Sequence, residues 1–156
     1  MQKNIIIGLL FSVTLFSFVK KTFDGKGTHE SNPEVKKEVF KVLDDYMNTF
    51  NAKDAKAWQA TYHFPHYRLA SGKMSVLEKA GILDSTVFIQ LGKTGWHHSK
   101  WNHRNIIQAS DDKVHVDTQF SRYRADGSLI QTYESLYVVT KENGKWGVKL
   151  RSSFAE

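Results

Sequence analysis

Residues 105–154 read NIIQASDDKVHVDTQFSRYRADGSLIQTYESLYVVTKENGKWGVKLRSSF, and their alternation of apolar and polar positions decides the fold. Asp111-Asp112, Asp126-Gly127 and Asn143-Gly144 interrupt the pattern. A period of two sends successive side chains to opposite faces of a strand, and Asp-Gly and Asn-Gly supply the positive φ that tight hairpins require. The breaks therefore predict four antiparallel strands, roughly 97–109, 113–124, 129–141 and 145–154. Residues 34–92, upstream, carry helix signals instead. Helices followed by an antiparallel meander make an α+β domain, in which a curved sheet closes over the helices and can enclose a pocket.

The first helix is expected to start at Ser31-Asn32-Pro33-Glu34. Ser31 and Glu34 have capping-box spacing, and proline is tolerated in a first turn. Val35, Val39, Leu43, Tyr46 and Phe50 recur every three or four residues, on one helix face. Asn51 can end the helix in a left-handed cap. Asp54 is expected to cap a second helix running to about Tyr62 and stopped by Pro65. Tyr67–Met74 reads as a hairpin turning at Ser71-Gly72. Ser75 and Glu78 repeat the capping-box spacing and predict a third helical region, broken at Gly81 and resumed over Asp84–Leu91.

The chain has 156 residues, 40% hydrophobic and 24% charged, which fits one soluble domain with a real core. It has no cysteine, so disulfides, thiolate metal sites and a cysteine nucleophile are excluded. An apolar stretch from Ile5 to Val19 follows Lys3 and precedes Lys20-Lys21. It is short for a membrane span and suits a signal-peptide core, so residues 1–27 are expected to be an export leader or, uncleaved, an anchor. The domain proper is expected over 33–156. Export implies a secreted or periplasmic location. Residues 28–156 hold 18 basic against 15 acidic residues, a mild excess of +3 that argues against nucleic-acid binding.

Tyr46-Met47-Asn48-Thr49-Phe50-Asn51-Ala52-Lys53-Asp54 resembles the long first helix and Asn-Ala-x-Asp turn of the NTF2-like superfamily, which includes the SnoaL-like and ketosteroid isomerase families. Asn143-Gly144-Lys145-Trp146 is similar to its final hairpin. The resemblance covers about residues 33–154 and implies a cone: N-terminal helices packed in a curved antiparallel sheet. It also implies a homodimer through the convex sheet face. Carried over from ketosteroid isomerase, the oxyanion-hole tyrosine falls on Tyr46. The catalytic aspartate falls on Ala70, which cannot move a proton. The second oxyanion-hole acid has Glu134 as its nearest counterpart. This fold hosts many functions, so the resemblance does not assign one.

His63-Phe64-Pro65-His66 offers two histidines near the expected pocket mouth, either of which can serve as a base near neutral pH, as histidines serve in the related scytalone dehydratases. Glu134 alternates with Ile130, Thr132, Leu136 and Val138. If that set faces inward, Glu134 is a carboxylate in an apolar cavity with a raised pKa. The competing reading is a structural glutamate paired to Arg122 or a tyrosine. With Glu134 inward, Val114, Val116, Thr118 and Phe120 join it, as do Trp146, Val148, Leu150, Ser152 and Phe154. Tyr133, Ser135 and Tyr137 then lie on the convex face beside His115, Asp117 and Gln119, where tyrosines suit a subunit contact. Trp58, Tyr62 and Trp96 are expected to wall the pocket. His97 and His98 are expected on opposite sides of a strand, unable to share an ion.

No phosphate loop, Gly-x-Ser-x-Gly elbow or His-Glu-x-x-His motif occurs, and no cofactor or metal is implied. The leading expectation is a binder of a small, mostly apolar molecule. An isomerase, dehydratase or hydrolase using His63 or His66 as base, with Tyr46 and Glu134 as electrophiles, is the alternative. A non-catalytic interaction module is the third.

Overall fold

The computed structural model describes residues 32–155. The leader expected over residues 1–27 and Ser31 lie outside them. The chain folds as an α+β domain: three helices, α1 (Pro33–Asn51), α2 (Ala55–Gln59) and α3 (Thr86–Gly92), and six strands, β1 (Tyr62–Ala70), β2 (Lys73–Leu77), β3 (His98–Ala109), β4 (Lys113–Tyr123), β5 (Leu129–Glu142) and β6 (Lys145–Ser153). The strands form one sheet in the order β2-β1-β6-β5-β4-β3. All neighbours are antiparallel except β1 and β6, which run parallel. No helix among the described residues is long and apolar enough to cross a membrane.

Helix α1 lies in the concavity of the sheet. Asn32 caps it, its Oδ1 accepting from the Glu34 backbone N–H at 3.0 Å, the role expected of Ser31. The centre of the predicted stripe, Val39, Leu43 and Tyr46, is buried against the sheet together with Met47, while Val35 and Phe50 at its ends are half-buried. Fully burying side chains such as Val39 and Leu43 contributes about 1.5–3 kcal/mol each.

Asn51 is the last helical residue rather than a left-handed cap; that backbone conformation falls on Lys53, at φ 59°. Asn51 ties the helix end to the sheet instead. Its Nδ2 donates to Ser99 O at 2.9 Å, and its Oδ1 accepts from Ser99 N–H at 2.8 Å.

Three local expectations fail for identifiable reasons. Helix α2, capped by Asp54 as expected, ends at Gln59, and Tyr62 already begins β1. Pro65 sits inside that strand, where the β1–β6 register breaks between Tyr62 and Tyr67, so its missing N–H removes no rung there. Ser75 belongs to β2, not to a helix. The Ser71-Gly72 turn, with φ 46° and 78°, folds Lys73–Leu77 back against β1, and the ladder overrides the capping spacing. The four meander strands match expectation within two residues at either end.

Strand parity matters most for the site. Val114 pairs with Val139, Val116 with Tyr137, Thr118 with Ser135 and Phe120 with Tyr133. The inward set of β5 is therefore Tyr133, Ser135, Tyr137 and Val139, and Glu134 faces outward. In β6 an irregularity between the Val138–Leu150 and Val139–Val148 pairs resets the alternation. Val148 is inward, and beyond the irregularity Arg151 and Ser153 are inward too, while Leu150 and Ser152 are not fully buried.

Candidate functional site

A cavity of about 900 Å³ opens between the concave sheet and the helices, within the range of small-molecule sites. Its floor is aromatic. Tyr46 from α1, Trp58 from α2 and Tyr62 from β1 meet with ring centroids 5.4–5.9 Å apart. Leu83, Val87 and Leu91 form one wall, Leu77 and Ser75 of β2 another, and Ile130 and Tyr133 of β5 a third. Gln59 fixes the loop leading into the α3 wall. Buried beneath it, its Nε2 donates to Leu83 O at 2.7 Å, and its Oε1 accepts from Gly81 N–H at 2.9 Å.

Of the residues anticipated for catalysis, the cavity gathers Tyr46 and His66 and excludes His63 and Glu134. Strand geometry explains the division. His63 and His66 are three apart on β1 and so take opposite faces. His66 points in and is 2% exposed, stacked on Tyr62 at 4.0 Å and 8°. Its Nδ1 lies 3.0 Å from Val148 O. A carbonyl only accepts, so Nδ1 carries the proton and Nε2 the lone pair. Burial is the main cause that lowers its pKa to about 4, despite the Val148 bond, and Arg151, Arg68 and Lys149 push the same way. His66 is therefore neutral at pH 7 and a weak base.

His63 lies outside the cone, its Nδ1 2.9 Å from Thr140 Oγ1 and 3.5 Å from a Glu142 oxygen. Glu134 is exposed on the convex face and accepts from Gln119 Nε2, with Arg122 on the opposite face of the sheet. Neither the acid in an apolar cavity nor its pairing with Arg122 is present. The same parity moves Tyr133 and Tyr137 into the concavity, so the convex face lacks the tyrosines invoked for a subunit contact.

Of the anticipated ligand-binding residues, Trp58 and Tyr62 line the cavity. Phe154 stands at its rim, 77% exposed. Trp96 is core, its Nε1 donating to Ser99 Oγ at 2.9 Å and its ring packed on Phe50. Phe120 instead borders a water-sized void of about 20 Å³ that adjoins Tyr46 and Tyr137.

Three arginines, Arg68, Arg122 and Arg151, also line the large cavity, and sequence reading missed them as a group. Arg122 was within reach: it continues the inward set Val114, Val116, Thr118, Phe120 by two residues. Arg68 shares the inward face of β1 with Tyr62 and His66, a face visible only once 62–70 is read as strand. Arg151 was hidden by the irregularity in β6. Arg151 is 8% exposed, donates to Ser153 Oγ at 2.9 Å, and stands over the Tyr137 and Phe120 rings at 5.7 and 5.4 Å. Burial, with help from Tyr46 and against the opposing charge of Arg151, raises the phenol pKa values of Tyr62 and Tyr137 well above the ordinary range, so both remain protonated donors at neutral pH.

On the convex face, His103, Asp117 and Glu134 present ligand atoms within 4.8 Å of one another, with His103 Nε2 3.3 Å from Asp117. His97 and His98 do not diverge as expected: their Nδ1 atoms are 3.2 Å apart on the surface.

Residues 37–150 match the family model described as NTF2-like protein (DUF6841). Solved structures share the fold at low identity. A protein of unknown function with a cystatin-like fold from Nostoc punctiforme aligns with TM-score 0.67 at 15% identity, covering 81% of this chain and 95% of that one. An NTF2-like protein of unknown function from Pseudomonas putida gives 0.65 at 11%, covering 81% and 90%. A ketosteroid isomerase-like protein from Erwinia carotovora atroseptica gives 0.60 at 19%, covering 80% and 97%. A search of curated proteins returns no match. At these identities the likeness establishes the fold alone.

Proposed function

The chain belongs to the NTF2-like family DUF6841, and from that premise we propose that it is a small-molecule-binding protein whose ligand occupies the cone cavity. The observation that carries this reading is the cavity of about 900 Å³ with an aromatic floor of Tyr46, Trp58 and Tyr62 and aliphatic walls. Apolar surface of that kind gains by taking up a matching ligand body, and a few polar groups orient it. The apolar stretch Ile5–Val19 supports an exported protein, which sequencing of the mature N-terminus tests.

Binding is favoured over catalysis by the distribution of titratable groups. The expected base and acid do not share a cavity: His63 and Glu134 lie outside the cone. His66, the one histidine lining it among the described residues, has a pKa near 4, far below the value suited to a base at neutral pH.

The test is saturable uptake of the neutral dye Nile red. The wild type is expected to take up one equivalent. Val87→Trp, which places an indole in the cavity from the α3 wall, is expected to abolish uptake without lowering the melting temperature by more than a few degrees. Undiminished uptake by a folded Val87→Trp protein places the dye elsewhere and contradicts the proposal.

A further inference from the structure

The cavity's apolar floor leaves its charges unexplained. Its lining contains three arginines and, among the described residues, no aspartate or glutamate. With His66 neutral, Arg68 and Arg151 bring two positive charges to the lining, since arginine stays protonated in proteins. These charges are not scattered. Arg68 and Arg151 are direct cross-strand partners on the parallel β1–β6 pair, and both line the cavity. Like charges placed opposite each other destabilise a sheet. Arg151 and Arg122 stand over the same Phe120 ring, at 5.4 and 5.9 Å.

The cost appears at Arg68. Burial first, and then the charge of Arg151, hold Arg68 below the ordinary arginine value. Arg151 is 8% exposed, and its Nε has no acceptor among the described residues. Neither Arg68 nor Arg151 forms an ion pair with a described carboxylate. The Trp58 Nε1–H, at the aromatic floor, is a further buried donor without an acceptor among the described residues. Such an arrangement offers donors and positive charge to the cavity and, among the described residues, only neutral oxygens as acceptors. Buried charge is costly without a partner, and the guanidinium fork matches a carboxylate with two parallel hydrogen bonds.

We infer that the ligand is an organic anion: an apolar or aromatic body seated on Tyr46, Trp58 and Tyr62, with a carboxylate-like head held by Arg151 and Arg68 and faced by Arg122. This rests on the proposal that the cavity is a small-molecule site, and adds the charge class of its occupant. The neutral ring of His66, stacked on Tyr62, adds no competing charge.

Isosteric pairs separate the two claims. Isothermal titration compares 2-naphthoate with 2-naphthamide, and decanoate with decanamide, at one ionic strength. Each carboxylate is expected to bind about 10- to 100-fold more tightly than its amide, the range of a charge-assisted hydrogen bond. Arg68→Gln, at a half-buried position, is expected to remove most of that preference by weakening carboxylate binding far more than amide binding. Arg151→Lys, which retains the charge but not the fork, is expected to keep part of it. Equal affinity for acid and amide overturns the anion assignment and leaves the cavity reading standing. Failure of all four compounds to bind overturns both. A carboxylate preference that survives intact in Arg68→Gln and in Arg151→Lys places the anion elsewhere and also overturns the assignment.

Discussion

Lowering the pH from 7 to 5 should destabilise this domain by about 2 kcal/mol through His66 alone. In the folded protein the ring is buried against Tyr62 and titrates near pH 4; in the unfolded chain it titrates near its ordinary value of 6.5. Between those values the unfolded chain binds a proton that the folded chain refuses, so acid pulls the equilibrium towards unfolding. The contribution is fully present above about pH 6.5, falls through the window, and is exhausted below about pH 4. The gap between 6.5 and about 4 corresponds to about 3 kcal/mol in full, of which about 2 kcal/mol is lost by pH 5.

The assay is urea denaturation of the wild type and His66→Asn at both pH values. The asparagine amide nitrogen takes the place of Nδ1 near Val148 O and does not titrate. Loss of stacking affects His66→Asn equally at both pH values and cancels, as do the remaining histidines. The wild type should lose about 2 kcal/mol more than the variant between pH 7 and 5. Equal pH slopes, or an NMR titration of the His66 ring near 6.5, would refute the reasoning and with it the picture of His66 as a dry, neutral group.

Gly147→Ala should cost about 1–3 kcal/mol in chemical denaturation, because the new Cβ would lie 2.6 Å from His63 Cδ2, and His63→Ala should recover most of the loss. A Gly147→Ala protein as stable as the wild type would show that His63 does not pack as described. Asn51→Ala should cost about 2–3 kcal/mol, since it leaves the backbone N–H and C=O of Ser99 without their side-chain partners; a loss below 0.5 kcal/mol would contradict that accounting. Gln59→Leu should release the Gly81–Leu83 loop, raising amide exchange at Gly81 and Leu83 while α1 stays protected. Unchanged exchange at Gly81 would count against Gln59 as the anchor of the α3 wall.

What was legible in the sequence follows the range of the interaction responsible. The β4 and β5 limits came from Asp111-Asp112 and Asp126-Gly127, because hairpin turns are set by a few adjacent residues. The buried stripe of α1 came from a period repeated over five turns. The parity of β5 did not follow, because both of its faces mix apolar and polar residues. Ile130, Leu136 and Val138 compete with Tyr133, Tyr137 and Val139, and only the pairing with β4 decides between them. Glu134 was placed in the cavity for that reason. The irregularity in β6 is likewise a product of pairing between strands, and it conceals Arg151. The aromatic floor was therefore readable from helix periodicity at Tyr46 and Trp58, whereas the arginine cluster required three strands to be set in register.

The most direct test of the account is a heteronuclear NMR titration with 2-naphthoate that follows the indole N–H signals of the four tryptophans. Trp58 lines the cavity, whereas Trp96 and Trp146 do not. The account predicts a saturable shift of the Trp58 indole, with Trp146 unmoved and the effect lost in Val87→Trp. A Trp58 signal that stays in place while the ligand saturates the protein would contradict it.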